Sequence, residues 1–405
     1  MPRLRLAQPL WLDQAPRAPI LPALDRTIHV DVAIVGGGIT GVAAAWMFAD
    51  AGLRVGLLEG AQIGRGSTAA STALLMQEPD CDFVELVRRY GLRRARRIWR
   101  MSRTATRRLI RTLGDLDIPC ALAECDSVYY ATRVDSARRL RAEYQRRAAA
   151  GLRCAWLDEA ALSRATGIAG AGAIKTRGNG QVDPYRACLG LARAARRKGA
   201  RLFEHSPVER IESGSQSVSV ATRRGRLEAD RVVIATGYAT SVFKQLTAHF
   251  RLLNTYVVAT RRVTARERRA IGLGDVMLWD TARPYHYARW TADRRLIIGG
   301  GDRPHVAGRR RVRAFREGVA DLRHHFDKLL PPLAAIESDY AWEGLFATTP
   351  DGLPYIGAHP EFPRHLFALG YGGNGMTFGF LAARLLLDWY RGGQSSDHRL
   401  FSFDR

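Results

Sequence analysis

Three glycines early in the chain have the spacing of a phosphate-binding turn. Gly36, Gly38 and Gly41 follow the apolar run Val32–Val35 and occupy the glycine positions of a G-x-G-x-x-G motif. The first permits a sharp turn, the second lets the backbone approach a pyrophosphate, and the third lets a helix pack on a strand. The positive end of that helix would face the phosphates. The alternative is a purely structural glycine turn.

The segments that follow favour a dinucleotide site. A helix is expected to begin at Ile39 and Thr40 and to end at Asp50, and a second strand, 54–58, ends at Glu59. A carboxylate at this position can accept hydrogen bonds from an adenosine ribose. The order of strand, glycine turn, helix, strand and acid is more specific than the glycines alone.

Small and hydroxylated residues dominate the next stretch, 63–75. Backbone can approach a ligand closely at Gly66. The hydroxyl groups of Ser67, Thr68, Ser71 and Thr72 can donate hydrogen bonds to phosphate or ring oxygens. A helix cap followed by a loop is the alternative interpretation of this stretch.

Two later segments are also rich in glycine. A buried strand ends in Ala235, Thr236 and Gly237, which predicts a second strand-to-helix crossing beside a nucleotide. The last predicted helix opens with Gly372, Gly373, Asn374, Gly375, Met376 and Thr377.

The formal charge of +23 is unusual for a globular chain of 405 residues. Such a charge can indicate a nucleic-acid partner or an anionic membrane surface. Only four of the 62 basic residues are lysines, however, and many arginines lie on predicted helices such as 82–116. Solvated helix faces are therefore the favoured interpretation, and a nucleic-acid partner is not expected.

The five cysteines form no C-x-x-C pair. An odd number of cysteines in a long chain argues against a disulfide framework and fits a reducing cytoplasm. The sequence contains no metal-ligand spacing, no signal-peptide core and no apolar run long enough to cross a membrane. It therefore predicts a cytoplasmic protein without a metal site.

Hydrophobic periodicity predicts alternating strands and helices, and the length predicts two or three domains. Asp183 is expected to cap a helix that has Pro184 at its first position. The other expectations are an extended arm over 1–29, an amphipathic helix pair over 82–116, a loop-rich segment over 151–180 and antiparallel strands over 250–300.

Taken together, these motifs resemble the FAD-dependent D-amino-acid oxidase superfamily, which includes glycine oxidase, sarcosine oxidase and the gamma-glutamylputrescine oxidase type. The resemblance covers nearly the whole chain. It depends on Gly36–Gly41 with Glu59, Val182–Pro184, Ala235–Gly237, Thr349–Gly357 and Gly370–Thr377. It implies an α/β fold, in which a Rossmann-like FAD-binding domain of the glutathione-reductase type carries an inserted α+β substrate domain with an antiparallel sheet.

The resemblance also implies domain boundaries. The FAD-binding domain is discontinuous and is expected over 1–78, 165–240 and 340–405. The substrate domain is expected over 79–164 and 241–339.

Residue roles follow from the same resemblance. Glu59 would hold the ribose, Val208 would offer backbone to the adenine, and Ala235–Gly237 would lie beside the adenosine. Gly372–Thr377 would lie at the pyrimidine edge of the flavin, where the positive end of the last helix suits the negative charge of a reduced flavin. Sarcosine oxidase-like members anchor the flavin through a cysteine in the stretch that begins here at Gly344. That stretch has no cysteine, which predicts non-covalent FAD.

The substrate side is expected on the strand near residue 287. Alternation places Tyr285, Tyr287 and Arg289 on one face. In relatives that bind amino acids, an Arg on the matching strand clamps the substrate carboxylate with two parallel hydrogen bonds. A surface arginine is the alternative for Arg289. The neighbouring His286 is more typical of a packed or exposed strand residue than of a base. Gln77 and Asp80 are weaker candidates for the pocket rim.

The resemblance implies oxidation of a C–N bond in a small amine or amino acid, by hydride transfer to flavin N5 and hydrolysis of the imine. Oxygen or a quinone would reoxidise the flavin, and the protein would be a monomer or a small homo-oligomer. Three alternatives remain open: oxidation of a 2-hydroxy acid or polyol, tRNA modification using the basic helices, and a non-catalytic FAD-stabilised subunit.

Overall fold

A computed structural model describes residues 5–15, 19–393 and 395–405 of the chain. Parts of the predicted arm, residues 1–4 and 16–18, lie outside this description. The strands are β1 Arg5–Leu6, β2 Thr27–Val35, β3 Val55–Leu58, β4 Leu74–Leu75, β5 Ala123–Tyr130, β6 Ala155–Leu157, β7 Ala173–Gln181, β8 Arg201–Phe203, β9 Val208–Ser213, β10 Val218–Thr222, β11 Arg226–Gly237, β12 Arg251–Thr260, β13 Val276–Asp280, β14 His286–Trp290, β15 Leu296–Pro304, β16 Ser338–Thr348, β17 Tyr355–His359 and β18 Phe362–Leu369.

The helices alternate with these strands along the chain. They are α1 Leu10–Asp13, α2 Ile39–Asp50, α3 Ser67–Ala70, α4 Phe83–Asp115, α5 Val134–Ala149, α6 Glu159–Thr166, α7 Pro184–Arg197, α8 Ala265–Ile271, α9 Gly308–Leu329, α10 Gly375–Tyr390 and α11 Ser396–Arg399, with 3-10 helices at Ser241–His249 and Pro331–Ala335. Among the residues described, no helix is both long and apolar enough to span a membrane.

The smaller sheet has eight strands, and its main path is β17-β18-β11-β2-β3-β8. β2 pairs in parallel with both β3 and β11, so the glycine turn at the end of β2 lies at the centre of the sheet. Helices α7 and α10 pack against α2. The fully buried apolar runs of β2 and β3 are those of a parallel strand covered on both faces.

The larger sheet has ten strands along the path β1-β16-β12-β15-β14-β13-β5-β7-β4, with β6 beside β7. Its pairs are antiparallel except β13 with β5. Phe326 and Leu322 of α9 are buried in the apolar cluster that also contains Ile298 of β15. The predicted α/β class with an antiparallel-rich second sheet is confirmed.

Several local predictions match the structure. Helix α2 runs from Ile39 to Asp50 as expected, and Asp183 caps α7 by accepting hydrogen bonds from the N–H groups of Tyr185 and Arg186. The predicted helix pair over 82–116 is α4, which bends at Gly91, where φ is +75°. In the arm, β1 pairs with β16.

The loop-rich prediction over 151–180 is wrong for most of this segment, because β6 occupies 155–157, α6 occupies 159–166 and β7 occupies 173–181. Its glycines serve the sheet: a Cβ at Gly180 would lie 3.1 Å from Ile110 Cδ1, and Gly178 has φ +81°, close to an irregularity in the pairing of β5 with β7. β7 and β16 both belong to the larger sheet. The boundary predicted at 340 therefore falls within a strand, and the domain limits stay predictions.

Candidate active site

A cavity of about 970 Å³ lies where the two sheets meet. From the smaller sheet it is lined by the glycine turn after β2, by Glu59 after β3, and by the end of β11. From the larger sheet it is lined by residues of β12 to β16. The first turn of α10 and the segment around α3 complete the wall.

The glycine turn is tightly packed. Gly36 has φ +108°, and a Cβ there would lie 2.6 Å from the carbonyl oxygen of Ala235. A Cβ on Gly41 would lie 1.8 Å from the carbonyl oxygen of Gly36. Gly38 begins α2 without a side-chain cap and faces the cavity. Backbone N–H groups and the positive helix end are thus available to a phosphate, as the motif predicts.

Glu59 faces the cavity beside this turn. Its Oε2 accepts a hydrogen bond from Gly37 N (2.7 Å) and its Oε1 accepts one from Ala61 N (2.8 Å). Burial raises the pKa of this carboxyl group, against the opposing effect of those N–H donors. The backbone therefore fixes the orientation of this carboxylate in the cavity wall, and its contact with a ribose stays a prediction.

The hydroxyl-rich stretch lines the cavity at every predicted position, namely Gly66, Ser67, Thr68, Ser71 and Thr72. All four of its hydroxyl groups already take part in hydrogen bonds: Ser71 Oγ accepts from Ala73 N (3.0 Å), and Thr72 interacts with the phenol of Tyr287. Thr68 Oγ1 accepts from Ile39 N (3.0 Å), and Ser67 Oγ donates to the carbonyl oxygen of Leu345 (2.8 Å). These two bonds hold the stretch against α2 and β16, and the bond to Leu345 uses the hydroxyl donor of Ser67.

The other predicted cofactor contacts divide into two groups. Val208, Ala235, Thr236, Gly237, Gly344 and Gly372–Met376 line the cavity, as do Ile39 and Thr40. Gly41 and Thr377 are not among its lining residues. Gly41 serves the packing of α2, and Thr377 Oγ1 donates to the carbonyl oxygen of Met76 (2.9 Å). A cofactor contact at Thr377 stays a prediction, and in the structure the hydroxyl group of Thr377 anchors α10 to the segment after β4.

The first turn of α10 is fixed by polar contacts from the segment after β4. Asp80 Oδ2 accepts from Gly373 N (2.7 Å). Asn374 Nδ2 donates to the carbonyl oxygens of Met76 (3.1 Å) and Glu78 (2.8 Å). Within the residues described, Asn374 Oδ1 is buried without a hydrogen-bond partner. A buried acceptor and a glycine-built cradle fit a bound flavin nucleotide, whose ring carries a hydrogen-bond donor.

Tyr285 and Tyr287 both line the cavity. Burial raises the pKa of both phenols, so they stay protonated at neutral pH. Tyr287 Oη lies 3.3 Å from Thr255 Oγ1. Its ring occupies the space above Gly299, where a Cβ would come within 2.3 Å of it. The Tyr287 ring can lie in the cavity wall because Gly299 of β15 has no side chain.

Arg289 shares a face with Tyr287 but does not line the cavity. Its Nε donates to the carbonyl oxygen of Thr72 (2.6 Å), and its two terminal nitrogens donate to those of Val182 (2.7 Å) and Trp290 (3.3 Å). Burial lowers the pKa of Arg289 to about 10, so it stays charged at neutral pH. Because backbone carbonyls occupy its donors, the geometry argues against the carboxylate-clamp prediction and indicates that Arg289 ties β14 to the segment after α3 and to the segment before α7.

Arg289→Lys is expected to lower the free energy of unfolding by at least about 2 kcal/mol, because an ammonium cannot reach three separate carbonyl groups. Urea unfolding measures this loss, and Arg262→Lys, at an exposed ion pair with Asp293, is the matched control. Unchanged stability together with a greatly raised KM would restore the clamp role.

The pocket residues that the sequence predictions missed include Glu78, Thr255, Trp279 and Asp302. Of the two rim candidates, Asp80 lines the cavity, whereas Gln77 donates to the carbonyl oxygen of Arg177 (2.7 Å) and is buried outside it. Asp302 comes directly after three consecutive glycines, and no motif marked it.

His286 lies on the opposite face of β14 in a cluster with Asp280 and His325. Its Nδ1 is 2.9 Å from Asp280 Oδ2, and the two imidazole rings stack with centroids 3.9 Å apart and planes 17° apart. Imidazole lone pairs lie in the ring plane, so two stacked rings are poorly placed to share one ion. The cluster is consistent with the packing role predicted for His286.

Comparison with known proteins supports this geometry. A family model described as FAD dependent oxidoreductase matches residues 31–389. The chain is 28% identical to glycine oxidase of Bacillus licheniformis, over 89% of this chain and 93% of that protein. It is 27% identical to gamma-glutamylputrescine oxidoreductase of Escherichia coli K12, over 91% and 85%. The crystal structure of glycine oxidase from Geobacillus kaustophilus superposes with a TM-score of 0.77 at 26% identity, over 93% of this chain and 99% of that one.

The family match spans the glycine turn, Glu59 and the first turn of α10, which together form the cradle. The chain is therefore an enzyme of the FAD-dependent oxidoreductase family typified by D-amino-acid oxidase, and FAD is its cofactor.

Proposed function

We propose that this enzyme oxidises a C–N bond of a small amine or amino acid. One observation carries the proposal: the cradle for the dinucleotide and a pocket lined by Tyr285, Tyr287 and Trp279 belong to one cavity. The pocket therefore holds a small molecule next to the cofactor site. Two relatives are named for glycine and for gamma-glutamylputrescine, and both of these compounds contain C–N bonds.

FAD, when bound, supplies the acceptor for the hydride that leaves the carbon bearing nitrogen. The protein positions the substrate and limits access of water. Tyr287 is held by the hydroxyl groups of Thr255 and Thr72, and Tyr285 interacts with Asp80. Both phenols stay protonated in the wall, so they shape the pocket without taking a proton from a ligand.

An anaerobic panel tests the proposal. The holoenzyme is mixed with amines, D- and L-amino acids, 2-hydroxy acids and polyols, and bleaching of the flavin absorbance is followed. Reduction by nitrogen compounds is expected. Reduction by hydroxy acids or polyols alone would assign the other chemistry of the superfamily, and no reduction by any compound would favour a subunit without activity of its own.

Non-covalent attachment of FAD belongs to the same proposal. Residues Gly344–Ala347 line the cavity, and the segment Gly344–Asp351 contains no cysteine to bond the flavin. Heat denaturation is expected to leave the yellow colour in the supernatant. Colour that stays with the precipitated protein would contradict this prediction.

Oxygen or a quinone is the proposed electron acceptor, and the protein is proposed to act in the cytoplasm as a monomer or small homo-oligomer. Oxygen uptake during turnover, compared with reduction of a quinone dye, distinguishes the two acceptors.

A further inference from the structure

Four carboxylates of the described residues line the cavity, namely Glu59, Glu78, Asp80 and Asp302. Glu59 accepts backbone N–H groups and Glu78 accepts from Ser127 and Asn179, which leaves Asp80 and Asp302 from two different parts of the fold. Asp80 follows β4 and interacts with Gly373 N and with the phenol of Tyr285. Asp302 lies in β15 and interacts with the hydroxyl group of Thr255. Its Oδ1 is buried and lacks a hydrogen-bond partner in the part of the chain that the structure describes. An unsatisfied buried oxygen is costly, and a ligand that donates a hydrogen bond would remove this cost.

Among the described residues, the side chains that line the cavity include no cation paired with these carboxylates, although the charge of Arg283, outside the lining, lowers the pKa of Asp80. Among the described residues that line the cavity, the basic side chains are Arg5 and Arg65. Arg5 Nε donates to the carbonyl oxygen of Arg65 (3.1 Å), six residues after Glu59 on the dinucleotide side. The side chain of Arg283 is 58% exposed, lies 3.7 Å from Asp82 and is absent from the lining. The guanidinium of Arg289 donates to backbone carbonyl groups and does not line the cavity.

The two carboxylates also repel each other. Burial raises the pKa of Asp302 to about 7, and the charge on Asp80 adds to this rise, whereas Thr255 and His286 oppose it. Burial raises the pKa of Asp80 as well, against the Gly373 N–H. A substrate carboxylate placed between them would add a third negative charge. An ammonium ion would reverse the repulsion, and the rings of Trp279, Tyr285 and Tyr287 suit a cation.

We propose that the pocket selects a cationic aliphatic amine with no carboxylate beside its amino group, and that Asp302 and Asp80 hold the ammonium group. This inference rests on the proposed function and narrows its substrate from amines and amino acids to amines. Asp302 is the principal anion, because its Oδ1 has no other partner.

Binding of tetramethylammonium chloride to the holoenzyme, measured by calorimetry, tests the inference without turnover. This cation has no N–H bond and no lone pair on nitrogen, so it reports charge recognition alone. It is expected to bind at pH 8.5, while sodium acetate does not. Asp302→Asn is expected to weaken binding at least about tenfold, and Asp80→Asn to weaken it as well, because each removes one facing charge. Asp82→Asn, outside the lining, is the matched control.

Lowering the pH tests the same charge in the unaltered enzyme. The groups that act on Asp302 are Asp80, Tyr285 and Tyr287 in the cavity wall, the hydroxyl group of Thr255, and the charge of His286 from the opposite face of β14. As the pH falls through 7, Asp302 gains a proton and loses its charge. Affinity is therefore expected to fall about 30-fold between pH 8.5 and pH 5.5. Asp82→Asn should retain this dependence and Asp302→Asn should lose most of it, so an Asp302 variant that fails to fold still leaves the wild-type profile as a test.

Equal binding of tetramethylammonium by wild type and Asp302→Asn, a flat pH profile, or tighter binding of acetate would overturn the inference. The flavin-bleaching panel is read separately. If α-amino acids reduce the flavin and tetramethylammonium does not bind, the proposed function stands and the inference fails. If the cation binds through Asp302 but no nitrogen compound reduces the flavin, the inference stands and the proposed function fails.

Discussion

Gly41→Ala is expected to yield a protein that retains little FAD and unfolds at a much lower urea concentration. The added Cβ would lie 1.8 Å from the carbonyl oxygen of Gly36, which is far too short for two atoms that are not bonded to each other. Helix α2 would have to move away from the end of β2. Because α7 and α10 pack against α2, this movement would disturb three helices. The cost is expected at or above the upper end of overpacking effects, about 3 kcal/mol.

The ratio of flavin to protein absorbance and a urea unfolding curve measure both effects. Gly114→Ala is the matched control, since it makes the same change in α4 where nothing lies within 4 Å of the added Cβ. Alanine is the better helix former by up to about 1 kcal/mol, so the control should be neutral or stabilising. A Gly41→Ala protein with full FAD content and an unchanged midpoint would show that the turn tolerates a side chain.

The glycine turn is also the part of the molecule that the sequence predicts best. Its geometry depends on residues close together in the chain, and the bounds of α2 and the position of Glu59 follow from local spacing. The family resemblance extended this success to the end of β11 and the start of α10, whose residues line the same cavity.

Predictions failed where a residue's role depends on distant partners. The period-two pattern of β14 correctly placed Tyr287 and Arg289 on one face, but it carried no information about the carbonyl groups of Thr72 and Val182 that occupy the guanidinium. The pairing of β12 with β15 is irregular near Gly300 and Gly301. The alternation of side chains along a regular strand therefore does not predict which way Asp302 points.

A buried ion pair on α5 shows the same limit on sequence prediction. In the sequence, Glu143 and Arg147 are one more acid and base four residues apart on an arginine-rich helix. In the structure their side chains are 4% and 2% exposed, and Arg147 Nε lies 2.6 Å from Glu143 Oε1. Glu143 also accepts hydrogen bonds from the first two N–H groups of α4, at Phe83 (2.7 Å) and Val84 (2.9 Å). The guanidinium carbon of Arg147 lies 4.5 Å from the ring centroid of Trp99.

Glu143→Ala is therefore expected to lower the free energy of unfolding by about 3–5 kcal/mol, because it leaves Arg147 as an unpaired buried charge and removes the cap from α4. Glu85→Ala is the control. Its ion pair with Arg89 has nearly the same length, 2.5 Å, but the side chains are 31% and 36% exposed, so the loss should stay within about 1 kcal/mol. Adding Arg147→Met to Glu143→Ala should recover part of the loss, since no buried charge then remains. Equal effects of the two glutamate substitutions would mean that burial does not set the strength of this pair.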